Sequence, residues 1–343
     1  MDLSELGWND ALIKAFEPWR GQGLRPGRVI RAHRGTWDVQ MGEEVLTARI
    51  PGSTWKKARG PRDLPAVGDW VVVKAAPGRR PLIRDVLPRT SVFTRKAAGG
   101  REKEQVIAAN VDTVFILMGL DGDFSARRLE RYLTATREAG SLPVVLLNKL
   151  DLCEHPQPMI DEARRVAGPA TVELCSALSP ETLLLLEPWL RPQATICLLG
   201  SSGVGKSTLT NLLLGEQRQQ TGAVRDKDKK GRHTTTHREL VLLPSQALMI
   251  DTPGMRELGL WEASAGLDQT FPELQGLIGQ CRWRDCGHGE EEQGCALWAA
   301  MTAGELERDR LEAFLLLSEE VSERGRKREE AIRLVKKGRR KKV

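Results

Sequence analysis

The chain has 343 residues, 40% of them hydrophobic and 29% charged, with a formal net charge of +6. That length exceeds one compact core and implies two or three domains; the composition is that of a soluble globular protein, not of a disordered or fibrous one. No run approaches the roughly 18 apolar residues of a membrane helix, the opening MDLSELGWND lacks the apolar stretch of a secretory signal, and the six cysteines are expected to stay reduced, as in a cytoplasmic protein.

Residues 1–26 read as an extension in which Trp8, Leu12 and Phe16 share one face of a short helix. Residues 27–95 read as five short strands: GRVIRAHRG, TWDVQMG, EVLTARIP, GDWVVVKAAP and PLIRDVLPR. They are rich in Val and Ile, bounded by Gly or Pro, and predict a small closed barrel of the OB type. The loop before the fourth strand carries Trp55, Lys56, Lys57, Arg59 and Arg62. An aromatic among cations suits stacking on RNA bases and contact with phosphate, although an ordinary solvated loop reads the same way.

Residues 96–260 change grammar. VDTVFILMG and LPVVLLN are buried strands separated by a helix that opens at Ser125 and closes at Gly140. ATVELCSA and a helix near 180–190 follow, then ATICLLGSSGVGKSTLTNLLLG as strand, loop and helix, then two strands in RELVLLPSQALMIDTPG. Strands alternating with helices predict a parallel, doubly wound α/β sheet with ligands at its carboxyl ends. Residues 261–323 hold a cysteine cluster and a long helix predicted to start at a Thr302–Glu305 capping box. Residues 324–343 carry a local net charge of +9, so the rest of the chain sums to −3. Such a tail suits a phosphate-rich partner, or serves only to solubilise the terminus.

Gly200, Ser201, Ser202, Gly203, Val204, Gly205, Lys206, Ser207 and Thr208 form a phosphate loop between an apolar strand and a helix. Its glycines let backbone N–H groups turn around phosphates, Lys206 reaches the β- and γ-phosphates, and Ser207 offers a hydroxyl to Mg²⁺. Asn148, Lys149, Leu150 and Asp151 (NKLD) select the base. The Asp151 carboxylate accepts from guanine N1–H and the N2 amine, which adenine cannot offer, Lys149 lays its stem along the base, and Asn148 braces the loop. Ser176 and Ala177 look like the second guanine contact, a backbone N–H to O6.

Asp251, ending the strand before Thr252-Pro253-Gly254, would hold Mg²⁺, and the Gly254 N–H would meet the γ-phosphate. One of Thr234, Thr235 or Thr236 would complete the Mg²⁺ shell. Ras-like GTPases orient the attacking water with a glutamine directly after D-x-x-G; here that position is Met255, and His233 is the nearest candidate for the role. His233, Lys206 and Thr236 are therefore the expected catalytic set. All five GTPase elements are present, but the base-reading motif precedes the phosphate loop. The order is that of a circular permutation, which compact domains tolerate when their ends lie close. Cys281, Cys286, His288 and Cys295 fall within 15 residues and fit one tetrahedral structural Zn²⁺. Arg282, Trp283 and Arg284 interleave with them and suit an RNA-facing surface.

Across nearly its full length the chain resembles the circularly permuted ribosome small-subunit-dependent GTPase A family. The likeness is carried by the barrel, VIAANVDTVFIL, NKLDL, CSA, GSSGVGKSTLTN, GRHTTTHREL, IDTPGMRELGL and the C-x4-C-x-H-x6-C cluster. It implies a GTPase that binds the small (30S) ribosomal subunit and hydrolyses GTP in its late maturation. It also implies structural zinc and contacts to 16S rRNA from the barrel and zinc domains. The motifs imply GTP/GDP with Mg²⁺ at the site, and the protein is expected to be monomeric and cytoplasmic, without membrane attachment. Two other readings stay open: a GTP-regulated RNA-binding module that does not hydrolyse, and a permuted GTPase serving the large subunit.

Overall fold

The computed structural model describes residues 2–52, 61–76, 78–96, 104–215, 238–251, 264–290 and 292–323. The first strands, β1 (Arg25–Ala32), β2 (Trp37–Met41), β3 (Glu44–Ala48), β4 (Trp70–Ala76) and β5 (Arg79–Val86), fall on the five predicted segments. β1 pairs antiparallel with both β2 and β4; β2 pairs with β3, and β4 with β5. A parallel bridge from Arg49 to Leu82 joins the end of β3 to β5 and closes the circuit. Alternate residues point inward, so Val29, Trp37, Val39, Val71, Val73 and Ile83 make a core of their own. Trp37 is kept by satisfying its indole N–H on the Pro65 carbonyl at 2.9 Å. Of the cationic loop, Trp55, Lys56, Lys57 and Arg59 lie outside the described residues.

A hairpin of β6 (Val92–Lys96) and β7 (Glu104–Ala109) spans the expected domain boundary at 95/96. Beyond it the sheet runs in the order β10–β9–β8–β11–β13–β12. These are β8 (Thr113–Gly119), β9 (Leu142–Asn148), β10 (Thr171–Leu174), β11 (Thr195–Gly200), β12 (Arg238–Leu242) and β13 (Leu248–Asp251). β10, β9, β8, β11 and β13 are parallel. β8, β9 and β11 are almost continuously buried because both faces are covered, whereas β10, at the edge of the sheet, has no buried residue. Val114, Ile116 and Met118 of β8 face helices α2 (Ala126–Glu138) and α3 (Gln157–Ala167). Phe115 and Leu117 face α4 (Glu181–Leu186) and α5 (Lys206–Leu214). Ser125 caps α2, as its position predicts, and Gly140 follows in the left-handed region at φ 86°.

Two features depart from the all-parallel pattern. β12 and β13 are joined by a tight turn and run antiparallel, because five residues cannot make the crossover a parallel pair needs. β12 then pairs on its other edge with β1, Arg31 opposite Glu239, so that barrel and nucleotide domain share one 11-stranded sheet. The junction is sealed by Arg28, a buried residue on β1. Its guanidinium donates to Gly68 O (3.2 Å), Thr195 Oγ1 (2.8 Å), Asn110 O (3.4 Å) and the Leu6 carbonyl. The N-terminal extension thus acts as a plug. α1 (Asp10–Phe16), capped by Asn9, sets Trp8 against Trp70 with ring centroids 4.9 Å apart, while Leu6 is fully buried.

The C-terminal region contains α6 (Ser264–Thr270), α7 (Pro272–Ile278), α8 (Ala296–Thr302) and a last helix, α9, over 308–323. The long helix does not start at Thr302. That residue closes α8, its hydroxyl donating to the Trp298 carbonyl at 2.8 Å, and a helical residue used in this way cannot serve as an N-cap. α6 lies so close on α2 that a Cβ at Gly266 would stand 2.4 Å from the Thr134 carbonyl. No helix among the described residues is long and apolar enough to cross a membrane. The basic tail, residues 324–343, lies outside the described residues.

Candidate functional site

The sequence motifs meet at the carboxyl ends of β8, β9, β11 and β13. Asn148, the last residue of β9, is 2% exposed and its amide joins three of them. Nδ2 donates to the Val204 carbonyl in the phosphate loop at 2.8 Å, and Oδ1 accepts the Ala177 N–H at 2.8 Å. Close approach requires Gly205: a Cβ there would fall 2.1 Å from Asn148 Nδ2, and its φ of 106° suits glycine. Lys149 follows in the left-handed region at φ 67°, which turns the chain sharply out of the strand into a single 3₁₀ turn over 150–152. Leu150 and Asp151 stand exposed on that turn, beside the Ser176–Ala177 segment, because Leu150 N–H donates to Cys175 O at 3.2 Å. Of the Ser176–Ala177 segment, expected to offer a backbone N–H to guanine O6, the Ala177 N–H is engaged by Asn148.

Gly200 ends β11, and a Cβ there would clash with Leu117 O at 2.6 Å, so only glycine lets the loop cross the end of β8. Val204 is buried and anchors the loop, while Ser202 and Gly203 are exposed at its rim; nothing lies within 4 Å of the position of a Gly203 Cβ. Lys206 begins α5 and folds back across the loop, donating to Gly200 O at 2.7 Å and to the Ser201 carbonyl. Ser207 and Thr208 follow in the first turn of α5, where free N–H groups and the helix dipole favour an anion. Asp251 ends β13, next but one to β8 across β11, and so faces the same edge. His233, Thr234, Thr235, Thr236, Gly254 and Met255 lie outside the described residues.

Two acidic residues of the site were not singled out by motif. In the turn after β8, Asp121 Oδ2 lies 2.5 Å from Lys149 Nζ, and Asp123 Oδ2 accepts from Ser201 Oγ at 2.7 Å. The hydrogen bond from Lys149 holds the Asp121 carboxyl below its usual range. The available signal was positional: acidic residues directly after a buried strand, at the ligand-binding end of the sheet.

The second site is the cysteine cluster. The ligand atoms of Cys281, Cys286, His288 and Cys295 all lie within 4.8 Å of one another. His288 Nδ1 is 3.7 Å from Cys281 Sγ and 3.6 Å from Cys295 Sγ. A tetrahedral zinc with bonds of about 2.3 Å to sulfur and about 2.0 Å to nitrogen needs an S···N edge of roughly 3.5 Å, so the four residues fit that ion. The loop is pre-shaped by its own polar groups. Glu292 accepts the N–H groups of Gly287 and Gly289 at 3.1 Å each, and Trp298 Nε1 donates to the His288 carbonyl at 3.0 Å. Trp283 is 54% exposed with the Arg282 guanidinium 5.1 Å from its ring centroid.

A P-loop sheet whose base-reading motif precedes its phosphate loop defines a circularly permuted GTPase. The chain belongs to the RsgA GTPase family, whose profile matches residues 86–261. It is 43% identical over its whole length to the "Small ribosomal subunit biogenesis GTPase RsgA" of Opitutus terrae, covering 96% of that protein. It is 46% identical over 93% of its length to the protein of the same name from Xylella fastidiosa M23, covering 96% of it. Among solved structures, YjeQ from Thermotoga maritima superposes with a TM-score of 0.62 over 87% of this chain and 98% of its own, at 22% identity. YloQ, described as a circularly permuted GTPase, superposes with a TM-score of 0.60 over 89% of this chain and 97% of its own, at 24% identity. These likenesses at low identity speak to the fold.

Proposed function

We propose that this GTPase acts on the small ribosomal subunit, binding it in the GTP state and hydrolysing GTP in a late step of subunit maturation in the cytoplasm. The observation that carries the nucleotide half is the Asn148 amide, which ties the base-reading, phosphate-binding and Ser176–Ala177 segments into one pocket rim. The ribosomal half is supported by the names of the full-length relatives and by the cationic residues of the barrel loop and of the C-terminal tail. Asp151 reads guanine. Ser202, Gly203 and Ser207 surround the phosphates, and Lys206 releases its loop carbonyls to neutralise them. Ser207, one of Thr234, Thr235 and Thr236, and Asp251 hold Mg²⁺, which neutralises charge on the β- and γ-phosphates. The four-ligand cluster holds one structural zinc, and the barrel loop, Arg282, Trp283 and Arg284 contact 16S rRNA. The protein works as a monomer.

Met255 cannot orient water, so His233 takes that part, and docking on the subunit places it. Positioning is most of what phosphoryl transfer requires. Phosphate release should therefore be slow alone and rise roughly 10²-fold or more with small subunits, since groups supplied in trans to other GTPases give 10³–10⁵. His233→Ala should lose most of the stimulated rate with GTP affinity nearly intact. Equal stimulation by large subunits, or full stimulation of the variant, would refute the proposal.

A further inference from the structure

The turn between β8 and α2, residues 120–125, belongs to none of the GTPase motifs yet grips two of them. Asp121 meets the ammonium of Lys149, and Asp123 accepts the hydroxyl of Ser201 in the phosphate loop. The turn is shaped for this. A Cβ at Gly119 would stand 2.5 Å from Asp121 Oδ1, so the bare backbone leaves the carboxylate its place over the end of β8. Gly122 takes φ 91°, and Arg128 holds Asp123 from behind at 3.0 Å. Ser125 then caps α2. The Asp121 carboxylate thus stands on a turn pinned at one end to the phosphate loop and at the other to a packed helix.

Lysine has a long stem whose rotamers must be fixed when it lies along a ligand, and that ordering opposes binding. A carboxylate at a fixed position orders the stem beforehand. We propose that Asp121 is a positioning residue of the GTP site, which holds Lys149 in place for the guanine nucleoside. Base and ribose are common to GTP and GDP, so the contribution is the same for both. A defect on the phosphate side would instead separate them.

This inference rests on the reading of residues 148–151 as the base-binding motif, and one set of titrations tests both. The full chain, Asp121→Asn, Lys149→Met and the double variant are titrated with GDP and with non-hydrolysable analogues of GTP and ATP in Mg²⁺. Asp121→Asn should weaken both nucleotides about 5-fold, the equivalent of about 1 kcal/mol for a partly exposed ion pair, and leave their ratio unchanged. The double variant should bind no more weakly than Lys149→Met alone, because the two residues act as one unit. Gly119→Ala, which crowds Asp121 without removing it, should reproduce the loss. Affinity of Asp121→Asn equal to that of the unmodified chain, a loss confined to one nucleotide, or additive losses in the double variant would overturn the positioning role. An unmodified chain that binds ATP as tightly as GTP would overturn the underlying reading instead.

Discussion

Asn148 is a single amide on which three stretches of chain converge, and its environment leaves no spare volume. The prediction at this scale concerns its neighbour. Gly205→Ala places a Cβ 2.1 Å from Asn148 Nδ2 at a φ of 106°. Either the amide leaves the Val204 carbonyl or the phosphate loop shifts, and an ångström of misplacement suffices to undo a preorganised site. Nucleotide affinity should fall by roughly 10²-fold or more in a fluorescent-GDP titration, equivalent to about 3 kcal/mol. Unchanged affinity would show that the loop tolerates a different crossing. Arg28 shows the same economy elsewhere. Burial lowers its pKa to about 10, yet four acceptors from three parts of the chain satisfy it. Removing one acceptor leaves the others, whereas removing the guanidinium takes a donor from all four, and of these the Gly68 carbonyl keeps a bond from Asn110 Nδ2 at 3.0 Å.

At the scale of elements, α2 is the shared wall between the nucleotide domain and the C-terminal helices. Arg310 of α9 donates to Glu130 of α2 at 2.7 Å and to Glu273 of α7 at 2.7 Å, and its guanidinium lies 4.1 Å from the Phe271 ring centroid. Arg131 makes a two-pronged pair with Glu320, both contacts at 2.6 Å. Arg310→Ala should cost roughly 3–5 kcal/mol in urea denaturation, because Glu130 is left charged and buried. A loss below about 1 kcal/mol would assign the docking to the Phe271–Phe314 contact instead. The cysteine cluster lies between α7 and α8 in the chain. One zinc per chain should appear in elemental analysis of the purified protein. Its removal forfeits roughly 10–16 kcal/mol of apparent binding energy and should melt the 281–295 loop and α8 while GDP binding persists. Purified protein without zinc, or loss of GDP binding together with the metal, would refute this arrangement.

In the whole molecule, β12 is the strand that joins the nucleotide domain to the barrel. It begins directly after the segment carrying His233 and the three threonines, and it pairs on one edge with β13, which ends at Asp251. On the other edge it pairs with β1 of the barrel. Asp251 is therefore linked to the barrel by an unbroken run of strand hydrogen bonds, β13 to β12 to β1. The tail belongs to this scale because its charge outweighs that of the rest of the chain. Truncation after Val335 removes Lys336, Lys337, Arg339, Arg340, Lys341 and Lys342. If they touch RNA phosphates, the log–log salt dependence of RNA binding should flatten by about 0.7 per lost contact with single strands. An unchanged slope would reduce the tail to a solvated terminus.

The order of the motifs, the permutation they spell and the Cys/His cluster were legible in the linear chain. Each depends on spacing within a few residues: a glycine loop between apolar strand and helix, a tetrapeptide at a strand end, four ligands in one short loop. The five barrel strands and the Ser125–Gly140 helix were legible for the same reason, since alternation, caps and turn residues act locally. Helix α3 escaped because its Pro-rich start and short apolar stripe resemble a loop, and only burial of Ile160, Ala163 and Val166 against the sheet makes it stable. Thr302–Glu305 misled because the same threonine served the preceding helix, a competition settled by how α8 packs. Asp121, Asp123, Arg28 and Arg310 belong to no motif, and the sequence around them does not say whom they meet. Lys149 lies 28 residues from Asp121, Ser201 lies 78 from Asp123, Thr195 lies 167 from Arg28 and Glu130 lies 180 from Arg310. Only closure of the sheet and docking of the helices on α2 bring those charges together, because the value of a charge is set by the partners and the burial it receives in three dimensions.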